Sequence, residues 1–182
     1  MVIKVMNKTD IFKTRSVDTV LNEKTLMSQL MNPFIINMRY AFQDETQLFL
    51  VSDYYPGGDL SYYIHSKKKQ FTENQAKFMI ACLLQALEFM HSNSVMHRDI
   101  NPSNLVFDAD GYLRLIDFGY ARVWQSCNSS DSSGTPGYMA PEILLRQNHS
   151  FESDFFAIGV ILFEIMLRRR PYLGNDRVSY KE

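Results

Sequence analysis

His97-Arg98-Asp99-Ile100-Asn101-Pro102-Ser103-Asn104 is the stretch on which the reading of this chain turns. It sets a carboxylate, Asp99, five residues ahead of a carboxamide, Asn104. Downstream follow Asp117-Phe118-Gly119 and then Ala140-Pro141-Glu142. A lone Asp-Phe-Gly is usually just a turn; three triplets in this order, with Asn104 in place, leave little room for coincidence. The chemistry accounts for the set. Asp99 can accept or orient a hydroxyl proton, and Asn104 and Asp117 offer the hard oxygen ligands that Mg²⁺ prefers. Such a set suits phosphoryl transfer, which needs positioning of a hydroxyl and neutralisation of phosphate charge more than covalent help.

Outward from that stretch the chain reads as strands and one helix first, then mostly helices. Met1 runs into Val2-Ile3-Lys4, a strand and no basic-then-apolar leader. Val17, Val20, Leu21, Met27 and Leu30 recur at helical spacing until Asn32-Pro33 stops them. Two strand-like runs, 35–42 and 48–55, are joined by the polar turn Gln43-Asp44-Glu45-Thr46, and Pro56-Gly57-Gly58 ends the second. Thr72-Glu73-Asn74-Gln75 is a capping-box pattern opening a long helix to about His91. Asp110-Gly111 between apolar runs signals a hairpin. The stretch 125–134 reads as a mobile loop, Lys67-Lys68-Lys69 as a solvated one, and 154–167 as a helix buried on all sides. The order predicts an α+β protein with two unequal lobes.

Composition narrows the function classes. A chain of 182 residues can bury one sizeable core, and 46% hydrophobic with 21% charged residues is an ordinary globular balance. A net charge of -1 points to neither nucleic acid nor a membrane surface. Cys82 and Cys127 form no disulfide framework and no metal-ligand cluster, which suits a reducing compartment. The longest apolar stretch, 155–167, contains Glu164 and is too short to span a bilayer. The expected setting is the cytoplasm, with the nucleus as the second choice.

Over nearly its whole length the chain resembles the protein kinases of serine/threonine type. It is most similar in pattern to the AGC group, to which cyclic-AMP-dependent kinase belongs, and its YANK-like relatives. Besides the three triplets, the resemblance rests on Leu21-Asn22-Glu23-Lys24, Asn32-Pro33-Phe34, Gly57-Gly58-Asp59-Leu60 and Gly134-Thr135-Pro136-Gly137-Tyr138. It implies a two-lobed kinase fold: a partial small lobe over 1–53, a hinge over 54–58, and a partial, mainly helical large lobe over 59–182. It implies ATP and Mg²⁺ as cofactors, a protein substrate with a Ser or Thr acceptor, and regulatory protein partners. On the same resemblance Lys4 holds the α- and β-phosphates and Glu23 is its ion-pair partner. Backbone groups of Asp53 and Tyr55 meet the adenine, with Val2 and Val106 sandwiching it. Asp59 falls where an acidic residue contacts the ribose, although an acid after Gly-Gly serves equally as a helix cap. Ser52 falls at the gatekeeper position, a small choice there. Met27, Met38, His97 and Phe118 match the stack that couples the lobes, and Asp154 the buried acid under the catalytic loop.

Two departures qualify the match. The family places a lysine two residues after the catalytic aspartate, and Asn101 stands there instead. It can donate a hydrogen bond but brings no charge, and loss of a comparable donor elsewhere costs about 10²–10³ in rate. No glycine-rich loop occurs; it would precede Met1, and the last large-lobe helices would follow Glu182. The first strand should therefore be an unprotected sheet edge. Three functions stay open: an active kinase, a pseudokinase acting as a binding module or scaffold, and an inactive truncated product. In the activation segment the position of the family's phosphothreonine holds Asp131, which could pair with Arg98 unmodified. Equally, Asp131 is a solvated loop residue and Ser129, Ser130, Ser132 or Ser133 the phosphosite.

Overall fold

The computed structural model describes residues 1–14 and 16–172. The last ten residues of the expected large lobe, 173–182, lie outside the described residues. Strand β1 (Val2–Asn7) leads into two helices, α1 (Lys8–Lys13) and α2 (Val17–Gln29), followed by strands β2 (Met38–Gln43) and β3 (Gln47–Ser52). The three strands form one antiparallel sheet in the order β1-β3-β2. β3 is central and buries Leu50, Val51 and Ser52, whereas β1 lies at an edge with Val2, Ile3 and Val5 about half exposed.

Helix α2 buries Glu23, Leu26 and Met27, spaced three and four apart so that they share one face. Leu21, expected on that face, is exposed. Helix α1 was not foreseen. Its six residues bury only Ile11, too little to show as a period, although Asp10 in the first turn and Lys13 in the last complement the helix dipole. Both predicted strand runs are shorter than expected. Ile35, read as strand, instead bridges to Leu115 of the large lobe and is fully buried, and Tyr54 and Tyr55 fall beyond the end of β3.

Beyond the hinge a π-helical turn (Tyr62–Ser66) precedes α3 (Glu73–Ser92). The capping box forms as read: the Gln75 N–H donates to Thr72 Oγ1 at 3.3 Å, and the Thr72 N–H donates to Gln75 Oε1 at 3.0 Å. Helix α3 buries Ala76, Met79, Leu83, Ala86, Leu87 and Met90 along one stripe. Each large apolar side chain so buried contributes about 1.5–3 kcal/mol. Next come β4 (Val95–Met96), a 3₁₀ turn (Pro102–Asn104), the hairpin of β5 (Leu105–Phe107) with β6 (Leu113–Leu115), and β7 (Arg122–Val123), which pairs with β4. Helices α4 (Pro141–Leu144) and α5 (Glu152–Leu167) complete the described chain. One hydrophobic cluster joins the lobes, running from Leu26, Met27 and Leu50 through Leu115 and Phe118 to Leu87 and Ile161.

One expectation fails on α5. Its sequence predicts burial on all sides, yet Phe155, Leu162, Met166 and Leu167 are exposed. α3 covers one side of it, where Ala157, Ile158, Ile161 and Ile165 are buried, and Phe156 on another side packs against Met139, Ala140, Ile143 and Leu144, which leaves Phe155, Leu162 and Met166 uncovered among the described residues. A uniformly apolar helix carries no period from which a free face could be read.

Candidate active site

The cleft between the lobes has two ends, built by different elements. At the small-lobe end, β1 presents Lys4 opposite Leu50 of β3, and α2 presents Glu23. Lys4 Nζ lies 2.6 Å from Glu23 Oε1 and 4.0 Å from Asp117 Oδ1. The Glu23 side chain is 5% exposed and that of Lys4 48%, so the carboxylate anchors a lysine whose head still faces the cleft. Val2, Met27, Ser52 and Asp117 line the same cavity of about 220 Å³. Ser52 is buried at the end of β3 and lines that cavity beside Met27, Ile36 and Leu50.

Around the hinge the expected contacts are more particular than the sequence allowed. The Asp53 N–H donates to the Asn37 carbonyl at 3.2 Å, and Arg39 grips the Asp53 carboxylate with two bonds, at 2.7 and 2.9 Å. The side chain of Asp53 is therefore a strut, and its main-chain carbonyl is what remains for a ligand. The Tyr55 hydroxyl donates to the Ile35 carbonyl at 3.4 Å, and burial pushes that phenol above its ordinary range. Asp59 caps the turn that follows: its Oδ1 accepts the Tyr62 N–H at 2.7 Å, while its main chain bridges Val106. Gly57 packs so closely on Phe107 that a Cβ would meet the Phe107 Cβ and carbonyl oxygen at 2.6 Å.

At the large-lobe end the catalytic stretch is held from below. Asp154, almost wholly buried on α5, accepts the His97 and Arg98 main-chain N–H groups at 2.9 Å each, and His91 Nε2 lies 2.9 Å from the same carboxylate. A buried carboxylate needs such partners. Arg98 and Asp117 both sit in the left-handed backbone region, with φ of 67° and 66°. Non-glycine residues hold that conformation only where surrounding bonds over-determine it. His97 is buried edge-on to Phe118, with ring centroids 5.7 Å apart, and burial holds its imidazole below the ordinary histidine range and hence neutral. Met27 and Phe118 are buried, and Met38 packs against the same core.

Asp99 is reached from both sides. The Thr135 hydroxyl donates to its Oδ1 at 2.6 Å, and Asn104 Nδ2 donates to its Oδ2 and its main-chain oxygen at 2.9 Å each. Asn101, a candidate catalytic residue, is buried. Its Nδ2 donates to the Asp99 carbonyl and to Thr135 Oγ1, both at 3.1 Å, while its Oδ1 accepts the Ser103 N–H at 3.0 Å. It thus ties the catalytic stretch to the segment at Thr135 without adding charge. Gly134 closes that tie: a Cβ there would stand 2.7 Å from the Arg98 carbonyl oxygen, and its φ of +127° suits glycine. Spacing in the sequence gave no hint of the Thr135 bridge, since its partners are 34 and 36 residues away.

The segment 125–134, expected as a mobile loop, has no regular structure but is pinned at several places. Asp131 pairs with Arg98, whose Nε also donates to the Tyr120 carbonyl at 2.8 Å. Of the alternatives left open for Asp131, the paired one is realised. Asn128 donates to the His149 carbonyl at 2.7 Å and accepts the His149 N–H at 2.9 Å. Arg122 stands beside the Arg98–Asp131 pair; burial, then the nearby Arg98 charge, lower its pKa.

The donor set fits Mg²⁺. Asn104 turns its amino group to Asp99, and among the described residues no donor reaches its Oδ1. Asp117 uses Oδ1 for the Gly119 N–H and leaves Oδ2 to the cleft. Among the described residues no three acidic, histidine or cysteine side chains gather as a metal cage. Two oxygen ligands completed by phosphate oxygens is how Mg²⁺ is ordinarily held.

A two-lobed fold, a lysine–glutamate pair spanning strand and helix, and a carboxylate–carboxamide pair under a pinned segment are together the framework of a protein-kinase fold. The Protein kinase domain family model matches residues 1–182, and the chain belongs to that family. It is 37% identical over 186 residues to Protein kinase 3 of Dictyostelium discoideum, covering 96% of this chain and 20% of that one. It is 33% identical over 183 residues to cGMP-dependent protein kinase 2 of Rattus norvegicus, covering 97% and 23%. Against the cAMP-dependent protein kinase catalytic subunit of Dictyostelium discoideum it is 34% identical over 174 residues, covering 96% and 26%. The AGC-like, serine/threonine pattern is thus shared along nearly the whole chain, which spans about a fifth to a quarter of these relatives' lengths.

Proposed function

We propose that the chain is an ATP-dependent protein serine/threonine kinase, transferring a phosphoryl group to a Ser or Thr hydroxyl of a protein. The observation that carries this is Lys4 Nζ held at 2.6 Å by Glu23 while facing Asp117 at 4.0 Å. A lone lysine on an edge strand has no reason to be so held; one that binds phosphates does. Asn104 and Asp117 would hold Mg²⁺, which when bound neutralises phosphate charge. Asp99 takes or orients the acceptor proton. Both its oxygens carry one donor already, and a carboxylate has about four lone-pair sites, so room for the acceptor remains. The main-chain carbonyl of Asp53 and N–H of Tyr55 orient the base, between Val2 and Val106. Thr135 and Pro102 favour a Ser/Thr acceptor over Tyr. The reading carries with it a cytoplasmic setting, in keeping with the free thiols Cys82 and Cys127, and a partner list of protein substrates and regulators. No helix among the described residues is long and apolar enough to cross a membrane.

Asn101 favours a second reading, a pseudokinase that still holds nucleotide, because it leaves the transfer end without its fixed charge. Thermal melts with and without Mg·ATP, followed by radiolabelled phosphate transfer to mixed Ser/Thr peptides, test both. Stabilisation with transfer that is lost in Asp99→Asn supports the kinase. Stabilisation without transfer supports the pseudokinase. No stabilisation of a folded chain, and none lost in Lys4→Met, would overturn both.

A further inference from the structure

Two basic runs in this chain have no role in the chemistry above: Lys67-Lys68-Lys69 and Arg168-Arg169-Arg170. They lie about a hundred residues apart in sequence, yet the fold brings their elements together. His65, in the turn just before the lysines, has its Nε2 3.7 Å from Glu164 Oε1, and Glu164 lies one helical turn before the arginines on α5. The link continues to the catalytic stretch. Glu164 Oε2 accepts the Tyr138 hydroxyl at 2.5 Å, and Tyr138 follows Thr135, whose own hydroxyl bonds Asp99. Through Glu164, the elements that carry the two runs are thus tied to the segment that holds Asp99.

Among the described residues of the two segments the charges are of one sign. All three lysines, Arg168 and Arg169 are exposed, Arg170 is partly so, and the His65 side chain is 55% exposed. The segments 60–72 and 165–172 contain no acidic residue. Among the described residues the acids that border them are already engaged: Glu164 is buried between Tyr138 and His65, Asp59 caps the turn at Tyr62, Asp99 holds Thr135 and Asn104, Glu73 pairs with Lys77 and Asp108 with Arg114. Several heads are set in place by rings beneath them, with Lys67 over Tyr62, Lys69 over Tyr63 and Phe71, and Arg169 over Phe163, at 5.2–5.6 Å from the centroids. A field of one sign beside a cleft raises the local concentration of opposite charge and selects against like charge.

We propose that these two runs form a docking face for the acidic side chains of the protein substrate, so that the chain prefers acceptors flanked by Asp, Glu or phosphorylated residues. This rests on the kinase reading, because it is the link through Tyr138 and Thr135 to Asp99 that makes a substrate segment the occupant. A nucleic acid or an anionic membrane, which a basic face could also meet, has no such link and enters as an outcome of the test.

The test is binding, so that it does not depend on turnover. Fluorescence anisotropy with the purified chain at low salt compares three peptides of equal length around one central Ser, flanked by Glu, by Gln or by Arg. The Glu peptide should bind at least about tenfold tighter than the Gln peptide, from several surface pairs acting together, and the advantage should shrink as salt is raised. The Arg peptide should bind most weakly. Lys67→Glu with Lys68→Glu should remove about tenfold of the Glu-peptide affinity, and so should Arg169→Glu with Arg170→Glu, while stabilisation by Mg·ATP stays as it was. If a charge-reversed chain fails to fold by circular dichroism, the matching Gln variants give the same ranking with smaller losses. Equal binding of the three peptides, or reversal variants that bind the Glu peptide unchanged, would overturn the proposal. So would displacement of the Glu peptide by a single-stranded oligonucleotide or phosphatidylserine vesicles at lower anion concentration. Discrimination between peptides without any Mg·ATP stabilisation would leave the docking face standing and overturn the kinase reading alone.

Discussion

The two ends of the cleft are furnished differently. At the small-lobe end the charges face one another: Lys4 is held by Glu23, and Asp117 lies within its reach. At the large-lobe end the same density of bonds surrounds Asp99, but the groups facing it, Asn101, Asn104 and Thr135, are all neutral. Geometry has been kept at both ends and positive charge at only one. On the proposed reading, binding of a nucleotide and transfer of its phosphate should therefore be separable, since the first would draw on Lys4 and the second on charge beside the transferred group.

The largest effect should come from the anchor of the transfer end. Asp154→Ala removes the acceptor of two buried N–H groups, at about 1–3 kcal/mol each, and strands His91. We expect a loss of about 3–5 kcal/mol and a melting temperature lower by roughly 10–15 °C. Asp154→Asn, which keeps one acceptor oxygen, should fall between. Below its own melting point each variant should still be stabilised by Mg·ATP, if the two ends are separable. A melting temperature within about 2 °C of the parent would show that the catalytic stretch does not hang on Asp154.

Next in size is the missing charge itself. Asn101→Lys should raise phosphate transfer by about 10–10³ while leaving nucleotide affinity where it is. The same change removes the Asn101 bond to the Ser103 N–H that caps the 3₁₀ turn, so stability should fall by about 1 kcal/mol. A variant less stable yet more active would sharpen the contrast between the ends. An unchanged kcat would dissolve it, because some other group would then supply the charge.

Much of this was legible in the sequence, and what was not has physical reasons. Local signals held: the capping box at Thr72, the hairpin at Asp110-Gly111 and the stop at Asn32-Pro33 each depend on a few adjacent residues. The charged pairs Lys4–Glu23 and Arg98–Asp131 were accessible because the resemblance to kinases supplied the spacing. Helix α1 was missed because one buried residue, Ile11, makes no period. The free face of α5 was missed because a uniformly apolar helix has none to read. The bridges Thr135–Asp99, Tyr138–Glu164 and Asn128–His149 join neutral or common residues far apart in sequence, where neither composition nor spacing marks a partner.

The smallest effect expected is in the segment that closes the transfer end. Arg98 is nearly buried, at 4% side-chain exposure, whereas Asp131 is 44% exposed, so the pair is neither a free surface bridge nor a fully desolvated one. Exposed pairs couple by about 0.2–1 kcal/mol, while breaking buried ones costs about 3–5 kcal/mol. A double-mutant cycle over Arg98→Ala and Asp131→Ala should therefore give a coupling of about 1 kcal/mol. Arg98→Ala should cost more than Asp131→Ala, since it also loses the bond to the Tyr120 carbonyl. Limited proteolysis of phosphate-free protein within 125–134 should quicken in each single variant, and the double variant should be cut no faster than Arg98→Ala. Asn128→Ala gives the control, because it frees the separate anchor at His149 and its effect should add to that of Asp131→Ala. Fully additive losses between Arg98 and Asp131 would mean that the carboxylate does not hold the segment, and that the neutrality of the transfer end reaches into its activation loop as well.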